Sequence, residues 1–184
     1  RVQGDFQNQD DLDEYPSLYG QKIGDLIYED VVDDGVINEK DKVNIGSPIP
    51  DLIYGFSATL GYKKFSVSMD FQGQFGSEIY NGKNQTRFSL YNFEGIVRDR
   101  WDGEGSSNVE PKITSLGGNY QTSDYYIENG SYLRLRTLLI SYDLPDKLME
   151  RAGLGKSIIY IRGTNIFTLS SYSGYSPDIG GFDP

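Results

Sequence analysis

The sequence predicts an all-β chain, a fragment of a large antiparallel transmembrane β-barrel whose long loops gather at one end. Three observations support this. First, Leu52–Gly76 alternates strictly: Tyr54, Phe56, Ala58, Leu60 and Tyr62 share one face, and Gly55, Ser57, Thr59 and Gly61 the other. After Lys63-Lys64 the pattern resumes, with Phe65, Val67, Met69 and Phe71 set against Ser66, Ser68, Asp70 and Gln72. A period of two held on both sides of a two-residue polar break is a β-hairpin signature. Second, the arms Leu52–Tyr62 and Phe65–Phe75 are each 11 residues long. At a rise of ~3.3 Å per residue and a tilt of ~40°, such an arm covers roughly 28 Å along a barrel axis, close to the apolar band of an outer-membrane barrel. Soluble strands usually run only about 5–6 residues. Third, the long connections fall at one end of the strands and the short ones at the other, which is the asymmetry of bacterial outer-membrane barrels. The alternative is a soluble secreted carbohydrate-binding or adhesin module with a calcium-stabilised loop, but a sandwich has no reason to sort its connections by length.

In chain order, residues 1–51 read as a polar extracellular loop, punctuated by turn formers at Tyr15-Pro16-Ser17, Asp34-Gly35 and Gly46-Ser47-Pro48. Residues 52–76 are the hairpin. Residues 77–130 form a second extracellular loop of more than fifty residues, a length that is usually functional. Its Tyr91, Trp101, Tyr120 and Tyr125 stand among Asn, Asp, Arg and Gly. Such aromatics suit stacking on a polar cargo or burial against a lid, and equally suit a small core of the loop's own. In the third strand, Ser131–Pro145, Leu133 and Leu135 lie on one phase, and Leu138, Ile140, Tyr142 and Leu144 on the other. A bulge near Arg136-Thr137, or a rise of the strand above the bilayer edge, accounts for the switch and leaves Arg134 and Arg136 at a wet upper rim. Asp146–Lys156 is a short periplasmic helix: Asp146 caps its start, and Gly153 or Gly155 ends it. Ser157–Leu169 is the fourth strand, so 131–169 is a strand pair, and 170–184 is a third extracellular loop carrying Tyr172 and Tyr175. All of 1–184 is expected to belong to a single barrel domain. Four strands cannot close a barrel and would leave two edges with unpaired backbone groups. The abrupt start and mid-loop end fit a piece of a longer polypeptide.

Charge and composition exclude several functions. The net charge of the 184 residues is −10, and residues 1–51 hold 13 acidic and 4 basic side chains. An acidic leader repels phosphate backbones, so nucleic-acid binding is not expected. There is no Cys and no His, which removes thiol nucleophiles, Ser-His triads and the usual zinc sites. Carboxylate pairs such as Asp33/Asp34 lie in water-exposed turns where nothing separates their pKa values, so no enzyme is predicted. No run approaches the roughly 18 apolar residues of a membrane-spanning helix, which a barrel does not need.

One motif points to a metal. Set against the calcium-loop template, Asp30 takes position 1, Asp34 position 5, Gly35 position 6, Asn38 position 9 and Asp41 position 12. Ca²⁺ requires several hard oxygens around a sharp turn, and these residues supply them. Val32 offers none at position 3, and the bland reading is a solvated acidic turn pinned by Ile37.

The chain also carries an ordered series of short motifs: Gly24-Asp-Leu-Ile-Tyr-Glu-Asp30, Asp33-Asp-Gly-Val-Ile-Asn-Glu-Lys-Asp41, Ile45-Gly-Ser-Pro-Ile-Pro50 and Tyr62-Lys-Lys-Phe65. Then come Trp101, Gly130-Ser-Tyr-Leu-Arg-Leu-Arg136, Tyr142-Asp-Leu-Pro145, Gly163-Thr-Asn-Ile-Phe-Thr168 and Tyr172-Ser-Gly-Tyr-Ser-Pro177. This series resembles the C-terminal part of the SusC/RagA family of TonB-dependent outer-membrane transporters of Bacteroidetes-type bacteria. The resemblance implies a 22-stranded barrel in outer-membrane lipid, an N-terminal plug, a SusD-like lipoprotein lid, coupling to TonB, and a glycan or peptide cargo. Ser176 stands where the family usually has Asp, and Val32 where it usually has Asn. From the aromatic loops, Tyr91, Trp101, Tyr120, Tyr125, Tyr172 and Tyr175 are the expected cargo or lid contacts.

Overall fold

Residues 1–51, expected as plain loop, hold two short strands, a short helix and a 3₁₀ turn in the computed structural model, which describes residues 1–82, 95–114 and 118–178. Strand β1 (Val2–Asp5) pairs antiparallel with β2 (Leu26–Tyr28), in the register Val2↔Tyr28 and Asp5↔Leu26. Between them, helix α1 (Gln9–Glu14) starts on the side chain of Asn8, which accepts the Asp11 N–H at 3.0 Å. What makes these three- and four-residue strands hold is burial. Phe6, Leu26, Ile27 and Tyr28 are all buried, as are Val97 and Tyr126. Strands this short contain too few residues for a period of two to show in sequence.

The described residues fall into two units by contact, Arg1–Gly46 with Tyr80–Ile127, and Ser47–Ile79 with Glu128–Gly180. The first contains the core just described. The second is built on a four-stranded antiparallel sheet of β3 (Leu52–Tyr62), β4 (Phe65–Phe75), β7 (Tyr132–Asp143) and β8 (Ile158–Ser170), in that order. Two short strands, β5 (Glu78–Tyr80) and β6 (Ile127–Asn129), pair separately.

The registers line up the alternating residues across all four strands. Leu60, Val67, Ile140 and Ile161 make one row, and Phe56, Phe71, Leu135 and Phe167 another. At the turn end, Tyr62, Phe65, Tyr142 and Ile159 close the same face, with the Phe65 and Tyr142 rings 4.6 Å apart. The other face carries Ser57, Asp70, Thr137 and Thr164 in one row, and Gln72, Arg134 and Thr168 in another. The register slips at Arg136 against both β4 and β8, and Asn165 on β8 takes a left-handed φ of 50°. Of the two explanations that the phase switch allows, this is the bulge, and it returns Leu133 and Leu135 to the face of Leu138 and Ile140.

The apolar face is uncovered. Phe56 is 54% exposed, Leu60 64% and Ile161 74%. A soluble sandwich seals this face against a second sheet; among the described residues no sheet does so. Aromatic rings at one end of an exposed apolar face, and hydroxyls on the reverse, are the two surfaces a lipid-facing barrel wall requires.

Helix α2 (Asp146–Arg151) joins β7 to β8. Asp146 does not cap it as expected: the N-cap position is Pro145, whose carbonyl accepts from Leu148 and Met149. The carbonyl of a proline outside the helix can receive those first N–H groups, and no side chain is then needed. Gly153, with φ 65°, ends the helix as predicted.

Candidate functional site

The polar face of the sheet is knit by its own side chains. Ser57 Oγ donates to Asp70 Oδ1 at 2.7 Å, and the Thr59 and Ser68 hydroxyls meet at 3.0 Å. Arg136 remains exposed, as a wet rim allows. Arg134 does not. Its guanidinium is buried beneath the segment after β8 and gripped by Asp178, whose two oxygens it binds at 2.5 and 3.0 Å. Sequence reasoning placed Arg134 in water because the fold-back of Ser176 and Asp178 has no periodic signature. The same hydrogen bonds from Arg134 hold the Asp178 carboxyl below its ordinary range.

The acidic loop closes on itself. Asp30 accepts the N–H groups of Asp34 at 3.3 Å and Gly35 at 2.7 Å. Asp41 accepts those of Val31, Val32 and Asn38 at 3.0, 3.3 and 2.7 Å. The Asn38 side chain caps the short 3₁₀ turn Glu39–Asp41 by accepting from Lys40 N at 3.0 Å. The Lys40 ammonium lies 3.3 Å from Asp34. The loop therefore supplies its own cation and its own donors, and Val32 supplies no oxygen. Among the described residues no group of three or more acidic side chains is arranged to hold a metal ion. Asp30, Asp34, Asn38 and Asp41 thus each engage an N–H group or the Lys40 ammonium within the loop.

Hydrogen bonds from Asn38 and then from Val32 and Val31 lower the Asp41 pKa. A depressed carboxylate pKa contributes stability that is full above its unfolded value near 3.8 and is lost as pH falls through the lower folded value. Asp41→Ala removes three acceptor bonds at once and is expected to open the loop. Faster tryptic cleavage at Lys40 and Lys42 in the variant would report it, and an unchanged rate would count against the capped-turn account.

The aromatics divide. Trp101 packs inside the first unit: its indole N–H donates to Gln7 Oε1 at 3.2 Å, and its ring lies so close to Gly24 that a Cβ there would stand 2.5 Å from it. Tyr125 donates to Glu110 at 2.8 Å and meets the Tyr126 ring edge-on at 4.9 Å. Tyr120 is part-buried, and burial pushes its phenol pKa up. Tyr172 is buried in the second unit, whereas Tyr175 is 78% exposed. Tyr91 lies outside the described residues. Trp101, Tyr120 and Tyr125 are thus half-buried, Tyr172 is buried, and Tyr175 alone of the described five is broadly exposed.

Two features were not singled out from sequence. One is a groove of about 700 Å³ in the first unit, floored by Leu18, Tyr28, Ile37, Val43 and Ile45. The other is a set of buried acids, Asp5, Asp25 and Glu110. Lys112 stands 3.4 Å from Asp25, and Tyr125 donates to Glu110. Neither oxygen of Asp5 finds a donor among the described residues. Burial, with Glu110 and then Asp25 nearby, raises the Asp5 pKa from 3.8 to about 7.

No family model matches the chain. It is 33% identical over 189 residues to TonB-dependent receptor P26 of Formosa agariphila, a match that covers 97% of this chain and 18% of that protein. To TonB-dependent receptor SusC of Bacteroides thetaiotaomicron it is 26% identical over 156 residues, covering 79% of this chain and 14% of that one. The chain therefore spans less than a fifth of the length of these curated relatives. The RagAB peptide importer in its closed-closed state superposes with a TM-score of 0.67 at 21% identity, over 98% of this chain and 20% of the other; at that identity the likeness is one of fold. Ordered motifs, a two-faced sheet and these matches together place the chain among the SusC/RagA-type TonB-dependent transporters of the bacterial outer membrane, as one segment of their barrel.

Proposed function

We propose that the full-length protein imports a nutrient oligomer, a glycan or a peptide, across the outer membrane, driven through TonB and capped by a SusD-like lipoprotein. This segment contributes barrel wall and external loops, and it carries out no bond chemistry. The observation that carries the reading is the sheet with an uncovered apolar face and a hydroxyl-rich reverse, a pairing useful only where one side meets lipid and the other a wet lumen. The relatives' names support the energy source: those proteins are TonB-dependent receptors. The RagAB neighbour is a peptide importer, which supports peptide as one cargo class.

The loop 77–130 is the proposed cargo- or lid-facing element. Deleting residues 85–125 from the full-length protein is expected to abolish cargo uptake or lid binding while leaving the barrel inserted. Whole-cell uptake and co-purification of the lid check this, and two unchanged readouts would remove the role.

A further inference from the structure

The segment after β8 is clamped at two points, and one exposed ring stands between them. At the first, Glu128 accepts the Ser173 N–H and the Ser173 hydroxyl, each at 2.7 Å, through its two oxygens. At the second, Arg134 donates from Nε to Thr168 Oγ1 at 2.8 Å, from Nη2 to Ser176 Oγ at 3.1 Å, and from both terminal nitrogens to Asp178. The Tyr132 ring lies 5.2 Å from the guanidinium carbon. Arg134 and Thr168 occupy one row of the polar face, so the second clamp holds the segment against that face. Between the clamps, Gly174 lies against the buried Tyr172 ring, where a Cβ would come within 2.4 Å, and Tyr175 follows it.

We propose that Arg134 and Glu128 are positioning residues that hold Tyr175 as a pre-ordered contact ring for an uncharged, flat-faced unit of the cargo on the polar side of the barrel wall. The proposal rests on the transport reading above. Three features of the geometry support it. A planar guanidinium bound to both oxygens of a carboxylate fixes direction as well as distance, which a lysine in the same place cannot do. Among the described residues the charges beside it have partners, Arg134 with Asp178 and Glu128 with the Ser173 donors, and the broadly exposed Tyr175 ring suits a sugar ring or an uncharged side chain better than an ion. Finally, a tyrosine held in place before binding loses little conformational freedom on contact, so its area converts to affinity more fully.

The test uses the full-length protein in its native membrane, with its lid and plug. Cells receive a mixture of neutral oligosaccharides and, separately, a tryptic protein digest. Depletion of each component is followed by mass spectrometry over a range of concentrations. Wild type is compared with a transporter-deletion strain, Arg134→Gln, Tyr175→Ala, their double variant, and the charge swap Arg134→Asp with Asp178→Arg. Surface barrel is quantified by heat-modifiable gel mobility.

The proposal expects Arg134→Gln and Tyr175→Ala each to raise the half-saturating concentration of uncharged components about tenfold, with maximal rate per surface barrel retained. The double variant should be no worse than either single one, and the swap should recover part of the loss. The arm that responds, saccharide or peptide, identifies the source of the unit. If deletion of the transporter alters no component, the transport reading falls and this inference with it. If deletion matters but Arg134→Gln lowers only the maximal rate, in step with surface barrel, Arg134 is merely structural and the inference alone is overturned.

Discussion

Met69→Arg is expected to destabilise the folded barrel by about 2–4 kcal/mol, while Ser68→Arg, one residue away, changes it by less than about 1 kcal/mol. Met69 sits at the middle of β4, in the row Ala58, Met69, Leu138 and Gly163 on the uncovered apolar face. A guanidinium there must either enter hydrocarbon unpaired or drag water to the midplane. Ser68 points to the opposite face, where its hydroxyl meets that of Thr59 and where Arg162 stands two strands away in the same row. A wet lumen solvates a new arginine at such a place. Urea titration of the full-length barrel refolded into phospholipid vesicles measures both. Equal losses for the two variants would mean that the faces are not chemically distinct, and the wall reading would fail.

Asp5→Asn is expected to flatten a pH dependence in the first unit. The Asp5 carboxyl is 1% exposed, and both of its oxygens lack a donor among the described residues. The groups facing it explain why. Lys112 is committed to Asp25 and the Tyr125 hydroxyl to Glu110, while Asp124 accepts the Val2 N–H. With its pKa raised from 3.8 to about 7, Asp5 binds a proton in the folded state that the unfolded chain has already released. The stability it permits is therefore full below about pH 4 and declines as pH rises through about 7, by at most about 1.4 kcal/mol per unit. Asparagine keeps the shape and discards the charge, so the variant should gain about 1–3 kcal/mol of local stability at pH 8 and little at pH 4.5. Hydrogen exchange of the amides in β1 and β2, corrected for intrinsic rate, reads this directly. Identical pH profiles for the two proteins would show that Asp5 is solvated or paired.

What the sequence reveals of the fold follows element length. The hairpin 52–75 was legible to the residue because 11-residue arms repeat the period of two many times over. The bulge at Arg136 was legible for the same reason, since a slip of one residue flips every side chain beyond it. By contrast, β1 and β2 consist of four and three residues, and what holds them is burial of Phe6, Leu26 and Ile27 and the bonds of Leu26 N–H to Asn119 and of the Tyr28 hydroxyl to Gly118, far along the chain. No local pattern encodes that.

The candidate site divides along the same line. The residue types of the acidic loop were visible, but not that Asp30 and Asp41 would turn their oxygens toward backbone N–H groups. The aromatic content of 77–130 was visible, but not that Trp101 would lean on Gly24. Arg134 was misplaced at a wet rim because its partners, Ser176 and Asp178, lie more than forty residues on and return by a turn.

The most direct test of the central claim is a cysteine scan of β3 and β4 in the full-length transporter after removal of any cysteines elsewhere in it, since this segment has none. Each single cysteine carries a fluorophore, and quenching by brominated lipid is compared with quenching by aqueous iodide. The account predicts that positions 56, 60, 67 and 71 are quenched by lipid and positions 57, 59, 68 and 70 by iodide, alternating residue by residue. Positions 56, 60, 67 and 71 shielded from both quenchers would contradict it.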